Sequence, residues 1–221
     1  MTQMFPLTLD QVLVRRRGKA VIGPTDLVLQ PDGPTIIIGP NGSGKTTLLR
    51  VMHGIERVTS GTVAWQHDDP SQHAFVFQSP IVLRRSVYEN LAYPLRLIKT
   101  PKPEVAQAVD HWLERIGLSD MRHSPALRLS GGERQKLAIA RALVRKPQVL
   151  FLDEPCANLD GHATREIEAL LQEASAAGTR LVMSTHDMGQ ARRLARDIVF
   201  MLGGKVHDVG DAETLFTQPA T

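Results

Sequence analysis

Residues with the types and spacing to handle phosphate come first in this sequence. The run Gly39-Pro40-Asn41-Gly42-Ser43-Gly44-Lys45-Thr46 satisfies the pattern G-x-x-x-x-G-K-[ST] at every specified position. Its glycines let the backbone turn so that successive N–H groups point inward at the α- and β-phosphates of a nucleotide, and the positive end of a following helix adds to the attraction. Lys45 is placed to meet the β/γ-phosphates, and the Thr46 hydroxyl to ligate Mg²⁺. The plainer reading is a glycine-rich strand-to-helix turn with a chance lysine. Against it stand the neighbours: Thr35-Ile36-Ile37-Ile38 reads as a buried strand and Thr46-Thr47-Leu48-Leu49-Arg50-Val51-Met52 as a helix opening.

Acids and a second glycine pair complete the set. Val149-Leu150-Phe151-Leu152-Asp153-Glu154 is an apolar strand ending in two carboxylates, as expected when a buried parallel strand delivers acids to the ligand edge of its sheet. Asp153 can hold Mg²⁺ and Glu154 can act as general base on an attacking water; a helix N-cap is the alternative for either acid. Arg180-Leu181-Val182-Met183-Ser184-Thr185 is another strand, with His186 at its end. A lone histidine is more often structural than catalytic, but at the same sheet edge as the carboxylates it becomes a candidate γ-phosphate contact. In Leu129-Ser130-Gly131-Gly132-Glu133, Ser130 and Glu133 read as a capping box. A cap does not require two glycines, and bare N–H groups at a positive helix end form a second anion site.

The elements that must position these residues alternate between strand and helix. Leu7 and Leu9, then Val12 and Val14, alternate with a phase slip at Asp10-Gln11, and Leu27-Val28-Leu29 follows a predicted turn at Gly23-Pro24, giving antiparallel strands with a bulge. Between them Arg15-Arg16-Arg17-Gly18 is a tight basic hairpin, either a solvated turn or a contact to adenine. Gly61–Trp65 and His73–Phe77 read as strands, the second delivering Gln78 to a loop. From Ser86 to Gly117 apolar residues recur at helical spacing, with Val105, Ala108, Val109, Trp112, Leu113 and Ile116 on one buried stripe; Pro101 and Pro103 separate two helices. Trp112 reads as core. Ile167, Leu170, Leu171 and Ala174 mark a further helix, Met188 to Ala195 another, and strands over Asp197–Leu202 and Lys205–Val209 lead to a short polar tail.

Composition bounds the function. A length of 221 residues suits one large α/β domain, and a formal charge of +3 made of scattered Lys, Arg, Asp and Glu gives no nucleic-acid footprint. The single cysteine, Cys156, allows no internal disulfide. No apolar run approaches the ~20 residues of a membrane span, and the start carries no signal-peptide pattern. A guanine-nucleotide switch is disfavoured because no Asn-Lys-x-Asp stretch occurs.

The phosphate loop, Gln78, Leu129 to Glu133, the Asp153-Glu154 strand, Asn158-Leu159-Asp160 and His186 occur in the order found in ATP-binding cassette (ABC) ATPases, and the resemblance covers essentially the whole chain. It implies an α/β fold: a P-loop NTPase core, mainly a parallel sheet flanked by helices, with an N-terminal antiparallel β subdomain and a helical subdomain inserted at roughly residues 84–146, all within one domain over 1–221. It implies ATP and Mg²⁺, with Gly39, Pro40, Asn41, Gly42, Ser43, Gly44, Lys45, Thr46 and Thr47 around the phosphates. Thr46, Gln78 and Asp153 would serve the metal, Gln78 would sense the attacking water, Glu154 would be the base and His186 would hold the γ-phosphate. Ser130, Gly131 and Gly132 would cover the nucleotide of a second copy in a head-to-tail homodimer, with Asp160 at its seam. The modest insert, in which Ser130 lies 52 positions after Gln78, resembles the separate ATPase subunit of a prokaryotic transporter. Such a subunit sits on the cytoplasmic side of the cell membrane against an integral membrane permease, served by a periplasmic or extracellular solute-binding protein. The segments Phe77 to Val87 and Thr185 to Ala195 are most similar to the ATPases of tungstate-type oxyanion importers; an importer of another solute, or a soluble ABC ATPase acting on nucleic acid, are the alternatives. Two departures stand out. Glu133 occupies a position usually held by glutamine, and the aromatic that usually stacks on adenine is replaced by the Arg15 to Arg17 turn, where a guanidinium can stack instead.

Overall fold

The computed structural model describes residues 4–217, so Met1 to Gln3 and the last residues of the predicted tail lie outside the described residues. Strand β1 (Leu7–Arg16) pairs antiparallel with β2 (Lys19–Leu29), and the phase slip at Asp10-Gln11 is a bulge: the register shifts between Leu9 and Val12, and Gln11 takes φ 48°. The extra residue keeps Leu7, Leu9, Val12 and Val14 all facing the same core. Arg17 and Gly18, both with positive φ (51° and 79°), make the predicted tight reversal. The predicted turn at Gly23-Pro24 is corrected, since β2 continues past both residues, which form a bulge where the register shifts between Val12 and Val14. Proline is tolerated there because β2 is the edge of its sheet. Gly23 is required because, at φ 94°, a Cβ would lie 1.9 Å from the Val12 carbonyl oxygen.

Strand β3 (Thr35–Ile38) leads through the glycine loop into α1 (Lys45–His53). Next β4 (Ser60–Trp65) returns to pair with β1 and completes a three-stranded antiparallel sheet, while β5 (His73–Val76) joins a second sheet and ends just before Gln78. Then come the helices α2 (Val87–Leu97), α3 (Lys102–Arg115) and α4 (Gly131–Leu143). They close on a core of their own that includes Leu91, Val105, Val109, Leu113 and Leu137. Trp112, read from sequence as core, is half-buried and packs against both this cluster and the neighbouring one.

Strands β6 (Val149–Asp153), β7 (Arg180–Ser184), β8 (Asp197–Leu202) and β9 (Lys205–Asp211) complete the second sheet in the order β5-β6-β7-β3-β8-β9, parallel except for β9. Helix α5 (Gly161–Ala176) connects β6 to β7, and α6 (Met188–Leu194) connects β7 to β8. The strands read as continuous apolar runs because both faces are buried and successive side chains serve different cores. Ile37, Phe151, Val182 and Val199 face α1 and the antiparallel sheet, whereas Ile36, Leu152, Met183 and Ile198 pack with α5 and α6. The predicted polar tail is in part ordered. β9 reaches Asp211 and a short helix, α7 (Ala212–Thr217), lays Leu215 and Phe216 on the second core. Parallel neighbours joined by helical crossovers bring the carboxyl ends of β3, β5, β6 and β7 to one edge, where the site lies.

Candidate active site

The glycine loop holds its shape through close approaches that only glycine permits. A Cβ on Gly39 would meet the Met201 carbonyl oxygen at 2.2 Å, and one on Gly44 would meet Ile22 Cγ2 at 2.6 Å. Above Gly42 nothing lies within 4 Å, so its backbone faces open space. Helices α2, α4, α5 and α6 carry side-chain caps from Ser86, Ser130, Asp160 and Asp187, but α1 begins at Gly44 with none. Its first-turn N–H groups therefore keep their capacity for an anion. The Lys45 ammonium is held over the loop, donating to the carbonyls of Gly39 at 2.8 Å and Pro40 at 3.2 Å.

Strands β6 and β7 position the carboxylates together. Asp153 is only 2 % exposed, and its Oδ1 accepts from the Thr46 hydroxyl and from the Ser184 hydroxyl, each at 2.8 Å. Ser184 Oγ in turn accepts the Glu154 backbone N–H at 3.1 Å, so one buried hydroxyl fixes both acids. Glu154 adopts φ 46°, a left-handed conformation that costs a non-glycine residue and turns its side chain off the strand direction. Its Oε2 accepts from Gln78 Nε2 at 3.3 Å and lies 3.1 Å from His186 Nδ1, while Oε1 lies 3.7 Å from Lys45 Nζ. The sequence names Ser184 only as a strand residue; nothing in its local pattern marks it, because its role comes from the β6–β7 register, Asp153 opposite Ser184.

A cavity of about 580 Å³ gathers Gly42, Gly44, Lys45, Thr46, Thr47, Gln78, Glu154 and His186, together with Val21, Asn41, Ala157 and Asn158. Gly39, Pro40, Ser43 and Asp153 do not line it, though Gly39 and Pro40 accept from Lys45 and Asp153 accepts from Thr46; the remaining predicted residues stand apart. Ser130, Gly131 and Gly132 do not line it; they open α4 in the expected capping box, where Ser130 N–H donates to Glu133 Oε2 at 2.7 Å and holds the Glu133 carboxyl below the usual range. Asp160 caps α5 through the N–H groups of His162 and Ala163. Neither does the Arg15 to Arg17 turn line the cavity: Arg16 pairs with Glu56 at 2.5 Å, and Arg15 Nη1 donates to the Gly18 carbonyl at 3.1 Å. Val21, on β2, and Ala157, after β6, are the cavity residues that sequence reasoning did not single out.

The residues fit a polyphosphate with a hard cation. Uncapped N–H groups, a buried ammonium and an open face above Gly42 suit phosphate oxygens. One hydroxyl, one carboxylate and one side-chain amide make an all-oxygen set, and among the described residues no group of three His, Cys, Asp or Glu side chains could hold a metal ion alone. So small a set suits a cation that arrives with the phosphates.

The chain is similar to known proteins along most of its length. Residues 23–157, more than half of the chain, match the ABC transporter family. A tungstate uptake system ATP-binding protein of Peptoclostridium acidaminophilum is 40% identical over 204 residues, covering 90% of this chain and 94% of that protein. An Fe(3+) ions import ATP-binding protein of Vibrio cholerae is 33% identical, and a spermidine/putrescine import ATP-binding protein of Marinobacter nauticus 34%; the chain spans 63% and 60% of their lengths. The solved structure of cbiO1 from Clostridium perfringens, part of an ABC transporter complex, superposes with a TM-score of 0.85 at 27% identity, covering 97% of this chain and 92% of that one. The chain belongs to the ABC transporter family, as an ATP-hydrolysing, ATP-binding import subunit.

Proposed function

We propose that this subunit powers import of tungstate or a related oxyanion. One observation carries the catalytic reading: Gln78, His186 and Lys45 converge on the Glu154 carboxylate at 3.3, 3.1 and 3.7 Å, at the edge where the phosphate loop opens. In this reading the loop from Gly39 to Thr47 grips the phosphates, with Lys45 leaving its two carbonyls for the β/γ-phosphates. Glu154 takes a proton from the water that attacks the γ-phosphate, Gln78 orients that water, and His186 steadies the γ-phosphate. Thr46, Asp153 and Gln78 would hold Mg²⁺, which supplies charge neutralisation at the phosphates when bound.

Ser130, Gly131 and Gly132 lie outside the cavity of their own chain, which supports pairing with a second copy whose nucleotide they cover. Residues 84–146, with their separate core, act as the inserted helical subdomain of a single ABC ATPase domain over 1–221. The subunit docks on an integral membrane permease at the cytoplasmic face, and a periplasmic or extracellular binding protein delivers the solute. Tungstate is favoured by the relative matched along nearly its whole length. The test is ATPase activity of the assembled complex with its permease and binding protein: tungstate should stimulate it. Indifference to tungstate with a response to iron or a polyamine would overturn the substrate.

A further inference from the structure

Gln78 stands on a loop between the parallel sheet and the inserted helices, and the loop itself is fastened at one end by side chains outside the cavity. Gln78 lies two residues past the end of β5 and is exposed; its side chain meets Glu154 Oε2 at 3.3 Å. Among the described residues, Ser79 and Pro80, which follow it, make no backbone hydrogen bond. Beyond them the chain is held tightly. Asn90, in the first turn of α2, is fully buried, and its amide uses all four of its hydrogen-bonding positions. Nδ2 donates to the Leu83 carbonyl at 3.2 Å and to the Ser86 carbonyl at 2.9 Å, while Oδ1 accepts the Leu83 N–H at 2.8 Å and Arg141 Nη1 at 3.2 Å. Arg141, on α4, also donates through Nη2 to the Ile81 carbonyl. Asparagine is a poor helix former, and a buried amide is tolerated only when its partners are complete. Three of the four partners here come from the residues just before α2.

We propose that Asn90 and Arg141 are positioning residues for ATP hydrolysis: by fixing Ile81 and Leu83 to α2 and α4, they set where Gln78 stands. This rests on the reading of Gln78 as the residue that orients the attacking water. On one side Gln78 is tethered by β5, whose Val76 pairs opposite Leu152 of β6. On the other it lies three residues from Ile81, a reach of no more than about 10–11 Å, so the place of Ile81 limits where Gln78 can go. Removing the Asn90 amide or the Arg141 guanidinium frees that second tether. Gln78 then leaves Glu154 for part of the time, whereas the phosphate loop, carried by β3 and α1, is untouched. Small displacements of a group that orients a reactant cost rate far more than binding.

The test compares steady-state ATP hydrolysis and ATP affinity of the full chain with those of its variants. Asn90→Leu, which keeps volume and removes all four bonds, should lower kcat by about tenfold or more while leaving ATP affinity within about twofold. In a Gln78→Ala background the same change should add less than about twofold, because both act on one contact. Glu89→Gln, which breaks the Arg96–Glu89 pair on the same helix, should leave kcat unchanged. An unchanged kcat in Asn90→Leu, an undiminished factor in the Gln78→Ala background, or an equal fall in Glu89→Gln would overturn the proposal. Undiminished hydrolysis in Gln78→Ala alone would instead remove the reading of Gln78 beneath it. Should Asn90→Leu not fold, Arg141→Gln, which loses the bonds to Asn90 and Ile81, carries the same two readouts.

Discussion

Replacing Glu154 by glutamine separates ATP binding from hydrolysis. The amide keeps the shape of the side chain and can still accept from Gln78 and His186 through its oxygen, but it cannot take up a proton. General-base catalysis contributes roughly 10²–10⁴ in rate, which at 1.36 kcal/mol per tenfold is about 3–5 kcal/mol of barrier. Binding should not suffer, since removing a carboxylate from a cavity that receives a polyphosphate relieves like-charge repulsion. Folding should be little affected as well. Lys45 loses a partner at 3.7 Å but keeps its bonds to Gly39 and Pro40, so the cost should be about 1 kcal/mol, a shift of a few degrees in Tm. The assay is single-turnover phosphate release with enzyme in excess, beside equilibrium titration with a fluorescent ATP analogue. Phosphate release within about threefold of the unaltered protein, a factor too small for a lost general base, would refute the assignment. So would loss of ATP binding, which would make Glu154 a structural partner of Lys45.

Lys45→Ala should instead abolish ATP binding at micromolar nucleotide, measured by the same titration, because no other cation lines the cavity among the described residues except His186 when protonated. Ser130→Arg should leave ATP binding to the isolated chain intact and prevent the dimer that Glu154→Gln forms with Mg-ATP, read by size-exclusion chromatography; normal hydrolysis by a Ser130→Arg monomer would defeat the shared site. With Arg15 and Arg16 engaged by Gly18 and Glu56, any adenine stacking should fall to Arg17, and Arg17→Ala should weaken ATP by roughly 0.5–2 kcal/mol; unchanged affinity leaves a solvated turn. His53, at the end of α1, has its pKa lowered to about 4, chiefly by burial and then by His73. Its Nδ1 has no hydrogen-bond partner. The unfolded chain takes up a proton near pH 6.5 and the folded chain does not, so stability is full above that pH and falls as pH drops toward 4. Urea melts should show on the order of 1 kcal/mol lost between pH 7 and pH 5 from this group after solvent screening, and His53→Phe should reduce that loss.

Much of this molecule is written locally. The phosphate loop, the Ser130–Glu133 capping box and the bulge at Asp10-Gln11 each follow from residues within a few positions of one another, because turn conformation and helix capping are short-range. The continuous apolar runs announced strands buried on both faces, and hence a parallel sheet whose ends collect functional groups. What the sequence by itself did not decide were matters of long-range pairing. Gly23-Pro24 has the look of a turn, yet it lies inside an edge strand as a bulge, with two β2 residues set against Leu13 alone and the Val12 carbonyl leaving no room for a Cβ on Gly23. The two strands flanking the short 3₁₀ turn at Pro70–Gln72 read alike, but β4 goes to the antiparallel sheet and β5 to the parallel one. Ser184 bonds the Asp153 carboxylate and the Glu154 backbone only because β6 and β7 pair in the register that sets it opposite Asp153. Local conformation needs only neighbours along the chain, whereas these contacts exist once a sheet has chosen its strand order, and that choice is made by burial across the whole molecule.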